Sequence, residues 1–363
     1  MIKNIIPFLF MTGLLVCCIA GTGCTGSAST ATGETGALPA SGGLTHSPAA
    51  SATGCVPVTI TQTDGTTVTL PCRPQRIIVG NANAAEMMIA IGAQDKIVGV
   101  TQSTTNVSYV MDRIPSAENI GDWQVPNIER ILSLHPDVVI TYASSKPKNI
   151  DQLTAANISV IYLDCYRLRT LASDARALGR LTGNEKKAEQ YARMVEGSIS
   201  TVTNRTAHLS YDEYPSVYSE QYSSYTVSGP SSGADEQLTL AGGRNIASDI
   251  PTSSAKINTE WIVAKKPEYI FKVVAAASTS PSHNVVDSLA SRPGWDAIPA
   301  VRNKRVYIFS SDVQFGPRSY IGLVHTARIL HPDLFPDMDP GAMLDEYAGT
   351  YVPRTNLTTM VYP

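Results

Sequence analysis

Between Val56 and Leu70 apolar and polar residues alternate about Asp64-Gly65, a dipeptide suited to a tight reverse turn, and this spacing predicts a β-hairpin. Beyond it the pattern changes. Residues 76–80 form a short unbroken apolar run, 84–92 have helical spacing and end on Gly92, and 96–100 are again strand-like. Residues 128–134 read as a helix stopped by His135-Pro136, followed by a strand at 137–142, a helix at 150–156 and a strand at 160–163. Short strands that are apolar throughout, alternating with helices, are the pattern of a parallel sheet covered on both faces.

From 171 to 209 the pattern is purely helical, with Gly183 as the break and Asn184 as the expected cap of a second helix. That helix, over 184–206, is expected to be about 33 Å long at about 1.5 Å per residue, enough to cross between two bodies. The alternation then restarts. Strands are expected at 216–218, 225–228, 269–274 and 305–309, and helices at 235–241, 259–265, 285–290 and 319–330.

The halves also echo each other. Asn127, Glu129 and a two-turn helix lead to Pro136-Asp137 and a buried strand; Asn258, Glu260 and a two-turn helix lead to Pro267-Glu268 and another. The inference is an α/β protein of two equivalent lobes joined by one long helix, with the ligand cleft between the lobes. The expected organisation is a leader at 1–23, a tether at 24–54, an N-terminal lobe at 55–168, a helical bridge at 169–209, a C-terminal lobe at 210–340 and a tail at 341–363.

Composition narrows the class. The 363 residues have a formal net charge of −3 and only 16% charged side chains, with no Lys/Arg block, which argues against nucleic-acid binding. The 16 tyrosines against 6 phenylalanines suit wet surfaces and ligand clefts. Lys3, the apolar run 5–20 and the small residues Gly21-Thr22-Gly23 before Cys24 read as an export signal with a cysteine at the lipidation position. Cleaved and acylated, or left as an uncleaved anchor, this end places the protein on the outer face of a membrane. Residues 25–53 are Ser, Thr, Gly and Ala with almost no large side chains, a flexible tether. Cys55 and Cys72 flank the open end of the hairpin and are expected to form a disulfide, leaving Cys165 as a lone buried thiol.

At these residues the chain resembles the class III solute-binding proteins of ABC importers, the family that handles ferric siderophores, haem and cobalamin. The hairpin with its Pro74-Gln75-Arg76-Ile77-Ile78 exit, Trp123-Gln124 followed by Asn127-Ile128-Glu129-Arg130-Ile131, Gly242-Gly243-Arg244-Asn245-Ile246 and Asn258-Thr259-Glu260 carry the resemblance over about 56–340. It implies two Rossmann-like lobes, a metal chelate as cargo, no cofactor and no catalysis, a monomer, and an ABC permease as partner. It implies that Glu129 and Glu260 dock on permease arginines; each lies in the first turn of a helix, where an acid is favoured and free to pair. Trp123 is expected to stack on a flat ligand, and Arg318 to hold a carboxylate or phosphate. Tyr142, Tyr222 and Tyr225 are expected to line the cleft.

Two other chemistries are written in the chain. Gly229-Pro230-Ser231-Ser232-Gly233 fits the nucleophile elbow of a serine hydrolase, with Asp287 and His325 downstream, but no oxyanion-loop signature precedes it. The six histidines show no paired spacing of the kind a bare-metal site needs. A ligand sensor built on the same two lobes is the remaining alternative.

Overall fold

A computed structural model describes residues 55–275, 283–352 and 361–363. The expected leader, the tether and Cys24 lie outside the described residues. Strands β1 (Val58–Thr61) and β2 (Thr67–Leu70) pair antiparallel about the turn at Gly65. The Asp64 carboxylate caps that turn by accepting from the Thr66 amide at 3.0 Å and hydroxyl at 2.6 Å. A disulfide joins Cys55 to Cys72, with their Cα atoms 5.2 Å apart, and Cys165 is a buried free thiol.

The first sheet contains β3 (Ile77–Val79), β4 (Ile97–Val100), β5 (Glu118–Asn119), β6 (Val138–Thr141) and β7 (Ser159–Tyr162). Its order is β5-β4-β3-β6-β7 and every pairing is parallel. β3 and β6, at its centre, are buried at every position, as unbroken apolar runs require.

The second sheet contains β8 (Ser216–Glu220), β9 (Thr226–Ser228), β10 (Arg244–Asn245), β11 (Ser254–Lys256), β12 (Tyr269–Val274), β13 (Val306–Ser310) and β14 (Val361–Tyr362). Its order is β11-β9-β8-β12-β13-β14, with β10 also on β8. β8, β10, β12 and β13 run parallel, whereas β9, β11 and β14 are antiparallel to their neighbours. The parallel sheet expected from the apolar pattern of 76–163 is that of the first lobe, whereas the second sheet is mixed. The connection from β8 to β9 is too short for a parallel crossover and can only make a hairpin.

Helices Leu168–Thr182 and Glu185–Thr206 join the lobes and meet at Gly183, which adopts the left-handed conformation (φ 83°) that a side chain would strain. Asn184 occupies the cap position, but its side chain does not accept from the new helix. It donates instead to the Ile91 carbonyl at 2.8 Å and ties the bridge to helix Ala82–Ala90. Further along, the Tyr191 hydroxyl donates to the Pro317 carbonyl at 2.5 Å, and its ring meets Tyr320 and Tyr351 edge-on.

Of the stretch expected as a tail, 341–363, the described residues 341–352 and 361–363 are part of the folded body. Helix Pro340–Thr350 packs Met343, Leu344, Tyr347 and Ala348 inward, and β14 extends the second sheet. Positions 343, 344, 347 and 348 recur at helical spacing.

Where the lobes meet, Glu86 of helix Ala82–Ala90 faces Arg318, which precedes helix Ser319–Leu330. Arg318 donates to both Glu86 oxygens, at 2.9 and 3.2 Å, and pairs with Asp312 at 3.1 Å. Tyr109 and Tyr347 donate to the same carboxylate at 2.5 and 2.8 Å. Arg318 is 1% exposed and Glu86 5%. Removing one partner strands the other's charge in the interior. Glu86→Ala is therefore expected to destabilise the fold by about 3 kcal/mol or more, measured by denaturant unfolding. A loss within error would show that Asp312 alone balances Arg318.

A second buried acid fixes the hairpin. Asp174 accepts from the Thr63 hydroxyl at 2.8 Å and the Cys165 amide at 2.9 Å. Burial raises its pKa from the usual carboxylate range to about 7, against those hydrogen bonds. The raised pKa means the folded state favours the protonated acid. Its stabilising contribution is full below about pH 4 and fades as pH rises through about 7. Thermal unfolding at pH 5 and pH 8 should show a smaller difference in Asp174→Asn than in the unaltered protein; an equal difference refutes the assignment.

Candidate functional site

The first lobe presents side chains at the carboxyl ends of its parallel strands, the edge at which open α/β sheets bind ligands. Tyr142 follows β6, Tyr166 lies just past β7, and Trp123 stands in the loop after β5. From the second lobe come Phe315, between helices Ser311–Gln314 and Ser319–Leu330, and Tyr222, in the β8–β9 turn. Their rings form one line. Trp123 meets Tyr142 at 5.5 Å, Tyr142 meets Tyr166 at 6.1 Å, Tyr166 meets Phe315 at 6.2 Å, and Phe315 meets Tyr222 at 6.4 Å. The first three contacts are edge-to-face, the arrangement favoured by the ring quadrupoles. The line crosses from one lobe to the other where Tyr166 meets Phe315. Gly233 allows this approach, since a Cβ there would come within 3.1 Å of the Phe315 ring.

Buried acids hold both walls. Asp164 accepts from the Ala143 and Ser144 amides at 2.8 and 3.0 Å and so fixes the loop that follows Tyr142. Burial, as the largest cause, raises the Tyr142 pKa, so its hydroxyl stays protonated, and the Asn83 amide lies 3.4 Å from it. Arg167 pairs with Asp164 at 3.2 Å, lies over the Tyr166 ring at 5.4 Å and reaches across the cleft to the Ser231 carbonyl at 3.2 Å. In the second lobe Glu220 is fully buried. It takes a two-pronged bond from Arg292 and pairs with Lys272 at 3.0 Å. Lys272 in turn donates to the Gln221 and Tyr222 carbonyls, at 2.5 and 2.9 Å.

Of the five expected ligand contacts, the structure brings together Trp123, Tyr142 and Tyr222. It does not bring Arg318 or Tyr225 to them. Arg318 was expected to hold a ligand anion, but its guanidinium is buried and its charge is met by Glu86 and Asp312; Nη1 alone is left without an acceptor among the described residues. Tyr225 turns into the second lobe. Its ring packs on Trp295 at 6.2 Å under Arg292 at 4.5 Å, and its amide donates to Glu220. Sequence reasoning missed Tyr166, Phe315 and Arg167. Tyr166 was recoverable from its place just after a strand end. Nothing local marks Phe315, which reaches the cleft through packing of the opposite lobe.

The Ser231 motif does sit on a strand–turn–helix with Ser231 at φ 62°. Its hydroxyl has no hydrogen-bond partner among the described residues. The neighbouring Ser232 caps helix Gly233–Leu240 by accepting from the Asp235 amide at 3.1 Å. His325 is held neutral by burial, with a pKa lowered to about 4, and bonds neither Ser231 nor Asp287. Among the described residues no three His, Cys, Asp or Glu side chains gather to hold a metal ion.

Glu129 and Glu260 occupy matching places. Asn127 caps helix Ile128–Ser133 by accepting from the Arg130 amide, and Asn258 caps helix Thr259–Lys265 by accepting from the Trp261 amide, both at 2.9 Å. Each glutamate follows its cap by two residues, is exposed, and has no ion-pair partner among the described residues.

Comparison with known proteins agrees with this architecture. A family model described as periplasmic binding protein matches residues 77–313. An uncharacterized ABC transporter substrate-binding lipoprotein of Bacillus subtilis, YvrC, is 30% identical over 77% of this chain and 87% of its own. A vitamin B12-binding protein of Yersinia pestis is 28% identical over 60% of this chain and 75% of its own. Among solved structures, the TroA-like periplasmic binding protein FepB of Veillonella parvula superposes with a TM-score of 0.70 at 21% identity, over 84% of this chain and 99% of that one. The chain belongs to the periplasmic binding protein family, and within it to the non-enzymatic substrate-binding components of class III ABC importers.

Proposed function

We propose that this protein captures a metal chelate outside the membrane, one of the ferric-siderophore, haem or cobalamin kind, and delivers it to an ABC permease. The observation that carries the reading is the line of five rings across both lobes. A broad conjugated ligand offers a face on which such rings stack, whereas a small ion would leave them without a purpose. Arg167, a half-buried cation beside the rings, is already paired to Asp164, so the cleft is better matched to a ligand of low charge. The name of the Yersinia relative points the same way. The lipoprotein name of the Bacillus relative supports acylation at Cys24 and a place on the outer face of the cytoplasmic membrane. In this reading the protein acts as a monomer, carries no cofactor of its own and leaves ATP use to other subunits. Trp123, Tyr142, Tyr166, Phe315 and Tyr222 contact the ligand, and Glu129 and Glu260 dock on the permease. Two unpaired acids at matching places on two lobes favour transport over sensing.

Titration with a panel of ferric siderophores, haem and cobalamin, followed by intrinsic Trp fluorescence, tests the cargo. One compound is expected to quench saturably, with Trp123→Ala and Tyr166→Ala each weakening affinity roughly tenfold, about 1.4 kcal/mol. No response to any of them removes the chelate reading.

Docking is tested separately. The double substitution Glu129→Ala with Glu260→Ala should abolish uptake while the ligand affinity stays unchanged. Intact uptake in that variant would eliminate docking through these acids.

A further inference from the structure

The two docking tips are alike in backbone and unlike in side chains. Val125, Val56, Leu132, Tyr211 and Tyr222 are the exposed large hydrophobics among the described residues, and two of these five lie within four positions of Glu129. Val125 is 49% exposed and Leu132 37%. Leu132 is three residues beyond Glu129 on helix Ile128–Ser133 and so shares its face. Val125 stands just before the Asn127 cap. The neighbouring charge, Arg130, is taken up by Glu118, which leaves Glu129 as an unpaired acid between two apolar side chains.

The matching positions of the second lobe differ. Lys256 stands four residues before Glu260, where Val125 stands before Glu129, and its ammonium donates to the Ser224 carbonyl at 2.6 Å. Val263, three residues beyond Glu260, is half-buried against the second lobe's core. This tip carries the acid without an exposed apolar flank.

Resting on the permease-docking reading, we infer that the N-terminal lobe is the anchor of that contact. Val125 and Leu132 enter an apolar socket on the permease's outer rim, beside the cation that pairs with Glu129. The Glu260 tip adds a solvated, rim-type ion pair. Apolar burial next to a desolvated charge pair concentrates binding energy, whereas an ion pair open to water adds little. The lobes are therefore not interchangeable on the permease, and docking has a preferred orientation.

The experiment measures binding of the full-length protein to the transporter's permease–ATPase complex reconstituted in nanodiscs, with ligand affinity measured alongside. Val125→Ser with Leu132→Ser is expected to weaken docking by about tenfold or more, with ligand affinity unchanged. Val56→Ser, which removes a still more exposed apolar side chain elsewhere, is expected to leave docking unaltered. Glu129→Ala is expected to cost more than Glu260→Ala. If the Val125/Leu132 variant docks normally while Glu129→Ala does not, the apolar anchor is wrong and acid docking stands. Equal losses from the two single glutamate variants overturn the asymmetry. If none of these variants changes docking, both this inference and the docking reading fall.

Discussion

The contact between Glu86 and Arg318 is the constraint on which the relation of the two lobes depends. Two charges taken out of water cost several kcal/mol each, and their attraction offsets this only where the geometry is good and further hydrogen bonds surround the pair. Here the carboxylate accepts from Arg318, Tyr109 and Tyr347, and the guanidinium has Asp312 as a second counter-charge. These groups come from both lobes and from the C-terminal helix Pro340–Thr350. A rearrangement that separates the lobes at this point would expose a bare buried charge on each side. The bridging helices Leu168–Thr182 and Glu185–Thr206, tied to the first lobe by Asn184 and to the second by Tyr191, reinforce the same junction.

The same chemistry recurs at smaller scale on each wall. Asp164 and Glu220 are both buried, and both spend their hydrogen-bonding capacity on the protein itself. Asp164 holds backbone amides beside Tyr142. Glu220, through Lys272, holds the carbonyls of the turn that carries Tyr222. Charged groups deep in each lobe thus position neutral rings at the surface of the cleft. Because those charges are already matched, the side chains that line the cleft are largely aromatic. On the proposed reading, shape and stacking rather than ion pairing govern what the cleft accepts.

Much of this protein was determined by the sequence alone. The unbroken apolar runs at β3 and β6, the turn at Asp64-Gly65, the break at Gly183 and the Asn127 and Asn258 caps are local, because each depends on a few neighbouring residues and on backbone geometry. The repeat of Asn, Glu, helix and strand made two lobes and two matching acids legible, and the hairpin's length brought Cys55 to Cys72. Tertiary structure decided the rest. Arg318 reads as a free cation at a helix start until Glu86, 232 positions away in the chain, is seen to face it. Tyr225 and Tyr222 are three residues apart in one turn, yet one enters the core and the other the cleft. That choice rests on Arg292 and Trp295, which no local pattern brings near. Phe315 and Tyr166 likewise become one site only by the packing of opposite lobes. Backbone propensity and periodicity act over a turn or two of chain, whereas burial and charge compensation act between residues that only the folded chain brings together.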